Sequence, residues 1–189
     1  KINLILVKKV IDECFMPVTI GGGVKTFEDI NDLLRIGADK VLIKTMALEN
    51  PDFIVKAVQY FGSQCISIAV DVILENGEYW IHQKNNDKLL MEIFIDQMNQ
   101  CNVGELVISA VHNDGMMTGY DYDLYQKVTL LTSKPVVALG GAGTPSHFIQ
   151  LMQTDYNGAL AAASIYHFTQ FTPQEVKKTL KNAQIPVRL

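Results

Sequence analysis

Three kinds of residue in this chain could do chemistry: glycines that follow buried strands, hydroxyls one strand further on, and a carboxylate closing an apolar run. Pro17-Val-Thr-Ile-Gly-Gly-Gly23 and Pro135-Val-Val-Ala-Leu-Gly-Gly-Ala-Gly143 each read as a strand running into glycines. Such loops, where they meet a helix N-terminus, bind phosphate through free N–H groups and the helix dipole. Gly22, Gly23 and Gly141 are the candidates for that role. Thr45 and Ser164 close the next strand after each loop, where a hydroxyl could meet a phosphate or cap a helix. Asp71 closes Cys65-Ile-Ser-Ile-Ala-Val-Asp71, a run typical of a strand covered on both faces. At the mouth of a cavity its carboxylate suits general acid–base work; the bland alternative is an Asx turn opening a hairpin. Lys44, Ser109, Asp114, Gly115 and Ala163 lie at further strand ends, and Asp114 can either orient a substrate or cap a turn. His112 is a lone loop histidine. His82, His147 and His167 lack metal-ligand spacing, so no metal site is expected. Lys40 and Glu105 begin strands and, taken alone, read as solvated termini.

The elements that position these residues occur twice. The copies are offset by 118 residues between Pro17 and Pro135, and by 119 between Thr45 and Ser164. A βαβ unit returning at that distance implies four βα units per repeat. The expected fold is therefore an α/β barrel of the (β/α)8 type, made of two half-barrel repeats, with function at the strand C-terminal ends. A doubly wound sheet accounts less well for the half-length repeat. The whole chain, 1–189, reads as one barrel domain with repeat halves of roughly 1–104 and 105–189. Such a barrel needs roughly 240 residues, so about two N-terminal βα units are expected to be absent.

The pattern along the chain supports alternation of strands and helices. Helices are expected over 1–13, 26–36, from 51, 88–101, 122–131, from 145 and from 173; strands over 17–21, 40–44, 65–71, 105–110, 135–140 and 159–163. Val72 to His82 alternates around Asn76-Gly77, a hairpin dipeptide. Thr144-Pro145 and Thr172-Pro173 each offer an N-cap with proline at the first helical position, and Glu175 completes a capping box.

Composition removes several classes of function. The formal net charge of −4 gives no basic field for nucleic acid. No apolar run spans a membrane and no signal-peptide pattern opens the chain. Cys14, Cys65 and Cys101 are odd in number and lack C-x-x-C spacing, which favours free thiols in a cytoplasmic protein.

G-G-G-V-K-T-F-E-D, G-A-D-K-V-x-I-x-T, E-N-P, F-G-S-Q, A-V-D, D-G-M-M-T-G-Y-D, G-G-A-G and A-A-A-S-I-Y-H-F occur in that order. Together they closely resemble the cyclase subunit of imidazole glycerol phosphate synthase. The resemblance covers essentially the whole chain. It implies a cyclase/lyase that uses ammonia from a partner glutaminase, in a heterodimer, with no cofactor. The substrate is a ribulosyl aminoimidazole carboxamide nucleotide carrying two phosphates. The products are imidazole glycerol phosphate and an aminoimidazole carboxamide ribotide. Asp71 matches one of the family's two catalytic aspartates; the other, on the first strand, has no counterpart here. Gly23, Thr45, Asp114, Gly115, Gly141, Ala163 and Ser164 match its phosphate ends. Lys40 and Glu105 match a charged gate for ammonia, while Asp39 and Gln64 match the glutaminase-facing surface. The chain departs from the family pattern at Lys44 (usually Asn), His112-Asn113 (usually Asp-Arg) and Leu139 (usually Ser). These changes suggest a paralogue with an altered substrate, such as one working with an amidotransferase that aminates a surface-polysaccharide sugar. A non-catalytic ammonia conduit or scaffold is a further alternative.

Overall fold

The computed structural model describes residues 2–83 and 88–188. The chain forms an α/β fold with a largely parallel sheet, divided into two compact units. One unit holds the chain up to Ala69 together with Asp96–Leu106; the other holds Val70–Ile95 and the chain from Val107 onward.

The first unit starts with helix α1 (Leu4–Glu13), capped by Asn3, whose Oδ1 accepts the Leu6 N–H at 3.1 Å. Lys1, included in the expected helix, lies outside the described residues. Strand β1 (Thr19–Gly21) is parallel to β2 (Lys40–Ile43), with Gly21 opposite Leu42. β2 in turn runs parallel to the start of β3 (Ile66–Glu75), with Leu42 opposite Ser67. Between β1 and β2 lies α2 (Phe27–Arg35), where Thr26 and Asp29 form a capping box and Gly37, at φ +109°, ends the turn that follows. α3 (Thr45–Glu49) and α4 (Pro51–Phe61) come after β2. Asn50 caps α4 by accepting the Phe53 N–H, and Pro51 stands at its first position. The apolar residues follow the strand period of two: Val41, Ile43, Ile66 and Ile68 are buried, whereas Lys40, Leu42 and Ala69 on the opposite face are half-buried.

In the second unit β3 does not stop at Asp71. It continues to Glu75 and turns back as β4 (Glu78–Ile81), with Val72 opposite Ile81. Asn76 and Gly77 take φ +52° and +81°, the left-handed pair a two-residue hairpin turn requires. The expected strand and ribbon are thus one continuous strand. β5 (Glu105–Ala110) lies beside β3, followed in sheet order by β6 (Val136–Leu139) and β7 (Ala159–Ala161), the last two parallel. Their helices are α5 (Met91–Gln100), α6 (Tyr122–Leu131), α7 (Pro145–Met152), α8 (Ser164–Phe168) and α9 (Pro173–Asn182). The capping box of Thr172 and Glu175 is present. Thr144 occupies the N-cap of α7 without bonding a helix amide; its hydroxyl pairs with Ser146 at 2.7 Å instead. The five-residue helices α3 and α8, each directly after a strand, have no counterpart in the sequence reading. They are too short to show a period, and neither has a side-chain cap.

Candidate functional site

In the first unit, parallel pairing of β1 and β2 brings their C-terminal ends side by side. Gly22 and Gly23 follow β1 at φ +111° and +71° and are exposed. A Cβ at either would meet nothing within 4 Å, so the space over this turn is open. Gly21, by contrast, packs against Leu42, where a Cβ would lie 2.4 Å from the carbonyl oxygen. Lys44 and Thr45 follow β2 at the same sheet edge, Lys44 half-buried and Thr45 exposed as the first residue of α3. These four residues therefore share one edge.

The opposite end of the same strands carries a different group. Lys40 begins β2 and Glu105 begins β5, and Lys40 Nζ pairs with Glu105 Oε2 at 2.5 Å. Their side chains are only 34% and 14% exposed, so they do not behave as two solvated strand termini. Ser67, wholly buried in β3, donates its hydroxyl to Glu105 Oε1 at 2.9 Å. Asp39 precedes this group and is exposed, yet its Oδ2 accepts the Val18 N–H at 2.7 Å and fixes the approach to β1. Gln64 is exposed and folds over Gly62, whose hypothetical Cβ would lie 2.3 Å from Gln64 Nε2.

In the second unit, the loop after β5 and the loop after β6 interlock. Gly119 N–H donates to Gly141 O at 2.8 Å, and Asn113 Nδ2 donates to Gly119 O at 3.0 Å. A Cβ on Gly141, at φ +93°, would lie 2.0 Å from Gly119 O, and one on Gly143 would lie 2.3 Å from Met117 O. These glycines are needed because one backbone lies against another. Asp114 and Gly115 are exposed in the first of these loops. Parallel pairing of β6 and β7 brings Ala163 and Ser164 to the edge where Gly140–Gly143 lies. Tyr120 completes the link by donating its hydroxyl to Ala161 O at 2.9 Å. Asp114, Gly115, Gly141, Ala163 and Ser164 are thus carried by three loops tied to one another. Tyr125, buried below them, donates to Leu139 O at 2.5 Å at the end of β6. Burial raises the hydroxyl pKa of both tyrosines above the ordinary phenol value, so both remain donors.

Asp71 lies within β3 rather than at its tip, half-buried, with ladder partners continuing beyond it. Its neighbours at two-residue spacing on the same strand face are Ala69 and Ile73, both half-buried like itself. Ser109 is a buried residue of β5, the strand beside β3.

The sequence reading missed a cluster around Asp121. This carboxylate caps α6 through the Leu124 N–H at 3.0 Å, accepts the Tyr79 hydroxyl at 3.0 Å and meets His112 Nε2 at 2.7 Å. Burial first, and then the negative Asp121, push the Tyr79 phenol above its ordinary pKa. The hairpin, the loop after β5 and the start of α6 therefore converge on one side chain. His112 serves Asp121 here, a role its sequence position alone could not show. His147, in the first turn of α7, has a pKa lowered by burial, and its Nδ1 accepts the Gly143 N–H at 3.1 Å. Among the described residues no three His, Cys, Asp or Glu side chains come together as a metal-ligand set.

A parallel α/β sheet with glycine loops and hydroxyl-bearing turns at strand C-terminal ends is the arrangement in which α/β proteins place their ligand sites. The family described as "Histidine biosynthesis protein" matches residues 1–172. The chain is 39% identical to a Vibrio vulnificus (strain YJ016) protein carrying the provisional name imidazole glycerol phosphate synthase subunit hisF2, an alignment covering 99% of this chain and 70% of that protein. It is 36% identical to the imidazole glycerol phosphate synthase subunit HisF of Exiguobacterium sp. (strain ATCC BAA-1283 / AT1b), covering 97% and 72%. The same identity holds for the HisF subunit of Thermococcus onnurineus (strain NA1), covering 100% and 76%. The chain belongs to the histidine biosynthesis protein family, on its imidazole glycerol phosphate synthase HisF branch. No helix among the described residues is long and apolar enough to cross a membrane.

Proposed function

We propose that this chain is an ammonia-dependent cyclase/lyase of the imidazole glycerol phosphate synthase type, with the repeat architecture of an eight-unit barrel built from two halves. It takes ammonia from a glutaminase subunit in a cytoplasmic heterodimer and closes the imidazole ring on the ribulosyl aminoimidazole carboxamide nucleotide. The observation that carries the reading is near full-length membership of the HisF branch. It is joined by a charged pair, Lys40 with Glu105, at the strand ends opposite those that carry the glycine turns.

Gly22, Gly23, Lys44 and Thr45, and likewise Asp114, Gly115, Gly141, Ala163 and Ser164, bind phosphate. Asp71 transfers protons as general acid–base, its carboxylate held on a continuous strand rather than a loop. Ser109 contributes a hydroxyl from the neighbouring strand. Lys40 and Glu105 admit ammonia, and Asp39 and Gln64 face the glutaminase. The Asp39 carboxylate has one lone pair committed to Val18, which leaves its remaining acceptor sites for a partner.

A second reading has its own support. By the resemblance, Lys44, His112 and Leu139 stand where the family usually has other residues, and one of the relatives carries the provisional name hisF2. A paralogue that uses the same framework on a different anionic acceptor, such as a sugar to be aminated, would carry such changes around its substrate.

The test is ammonia-dependent consumption of the ribulosyl nucleotide by the protein and by Asp71→Asn. The substitution is expected to abolish turnover and leave phosphate binding intact. Substantial turnover by Asp71→Asn overturns the acid–base role. Nucleotide that neither binds nor reacts with the unsubstituted protein overturns the cyclase assignment in favour of the paralogue or of a non-catalytic conduit.

A further inference from the structure

Glu105 is gripped at both oxygens, and the two grips differ in kind. Oε2 takes the Lys40 ammonium, a charge on a long flexible stem that is one-third exposed. Oε1 takes the hydroxyl of Ser67, which is wholly buried and has a single rotatable bond before its oxygen. Sheet order puts β3 between β2 and β5, so Ser67 sits on the strand that separates the two ion-pair partners. It is also the one polar side chain between Ile66 and Ile68, which are both fully buried. A buried serine in such a run is stable only when its hydroxyl has a partner, and that partner is Glu105.

We propose that Ser67 is a positioning residue for the charged pair. It anchors the Glu105 carboxylate to the sheet so that Lys40 is the moving part. When the ammonium of Lys40 swings away, Glu105 stays in place, held by an O–H donor that cannot follow, and its freed Oε2 is an acceptor for the N–H of an incoming ammonia molecule. The anchoring itself needs only the three side chains; the part that concerns ammonia rests on the function proposed above.

The experiment has two readouts on the full chain. The first is the rate at which acetic anhydride labels the Lys40 amine, followed by mass spectrometry under conditions where Ser67→Ala and the unsubstituted protein show the same circular dichroism and melting midpoint. Ser67→Ala is expected to raise Lys40 labelling several-fold, because a wandering carboxylate protects the amine less. Glu105→Gln should raise it as well, and adding Ser67→Ala to Glu105→Gln should change nothing further, since the serine acts only through the glutamate. An unchanged rate in Ser67→Ala, or a further increase in the double variant, overturns the anchor. The second readout is turnover with ammonium chloride. Ser67→Ala is expected to raise KM for ammonium at little cost in kcat. Faster Lys40 labelling with an unaltered ammonium KM would keep the anchor and overturn the ammonia passage.

Discussion

Alanine at Gly141 and at Gly22 separates two reasons for a glycine that look identical in the sequence. Both residues have positive φ, +93° and +111°, so alanine at either incurs the left-handed backbone penalty of about 1–2 kcal/mol. At Gly22 that is the whole cost, because no atom lies within 4 Å of the added carbon. At Gly141 the carbon would lie 2.0 Å from Gly119 O, a backbone atom that cannot rotate aside. Relief means separating the loops after β5 and β6. This breaks the hydrogen bond from Gly119 N–H to Gly141 O, worth about 1 kcal/mol net. The total for Gly141→Ala is therefore roughly 2–3 kcal/mol, up to twice that of Gly22→Ala. Urea unfolding followed by Trp80 fluorescence and by circular dichroism gives the two values directly. Isothermal titration with inorganic phosphate then shows whether the intact loops bind an anion. If Gly141→Ala costs no more than Gly22→Ala, the interlock of the two loops is not a source of stability and the reasoning fails.

Two further perturbations follow from the second unit. Asp121→Ala removes the cap of α6 and strands the buried Tyr79 hydroxyl, at a combined cost of roughly 2–4 kcal/mol. Tyr79→Phe added to it should then be nearly free, and full additivity in urea unfolding would show that the two side chains do not act together. His147 has a folded pKa below the ordinary imidazole value of about 6.5, because burial disfavours its charged form. The folded state then binds fewer protons than the unfolded one, so the contribution is full above that value and is lost as pH falls through the folded pKa. Replacing His147 with Gln, which keeps an acceptor for Gly143, should flatten the fall in urea midpoint between pH 7 and pH 5; an unchanged slope would assign the acid sensitivity elsewhere.

The alternation of elements was legible because each carries a local mark. The Thr172–Glu175 capping box, Pro51 at a helix start and Asn76-Gly77 in a hairpin are short-range chemistry, and each occurs where its dipeptide or tetrapeptide dictates. What the sequence hid is long-range or very short. Tyr79 and Asp121 are 42 residues apart and Lys40 and Glu105 are 65 apart, separations at which no spacing rule applies. α3 and α8 span five residues each, fewer than two turns, so no apolar stripe can announce them. Asp71 reads in the sequence as the polar end of an apolar strand, and the structure places it inside the strand instead. The run itself continues as Val72-Ile-Leu, however, and the strand goes on with it because hairpin pairing to β4 satisfies its backbone. Ser67 was visible as a lone hydroxyl among isoleucines, and it could have been questioned as a buried polar group in want of a partner.

Because β3 runs on past Asp71 into the hairpin, the backbone carrying this carboxylate is held by the ladder: Asp71 O accepts the His82 N–H at 2.8 Å and the next residue, Val72, pairs with Ile81. Lys44, His112 and Leu139, by contrast, sit on or beside the turns. Exchanging turn residues one at a time accordingly leaves the Asp71 backbone where the ladder holds it.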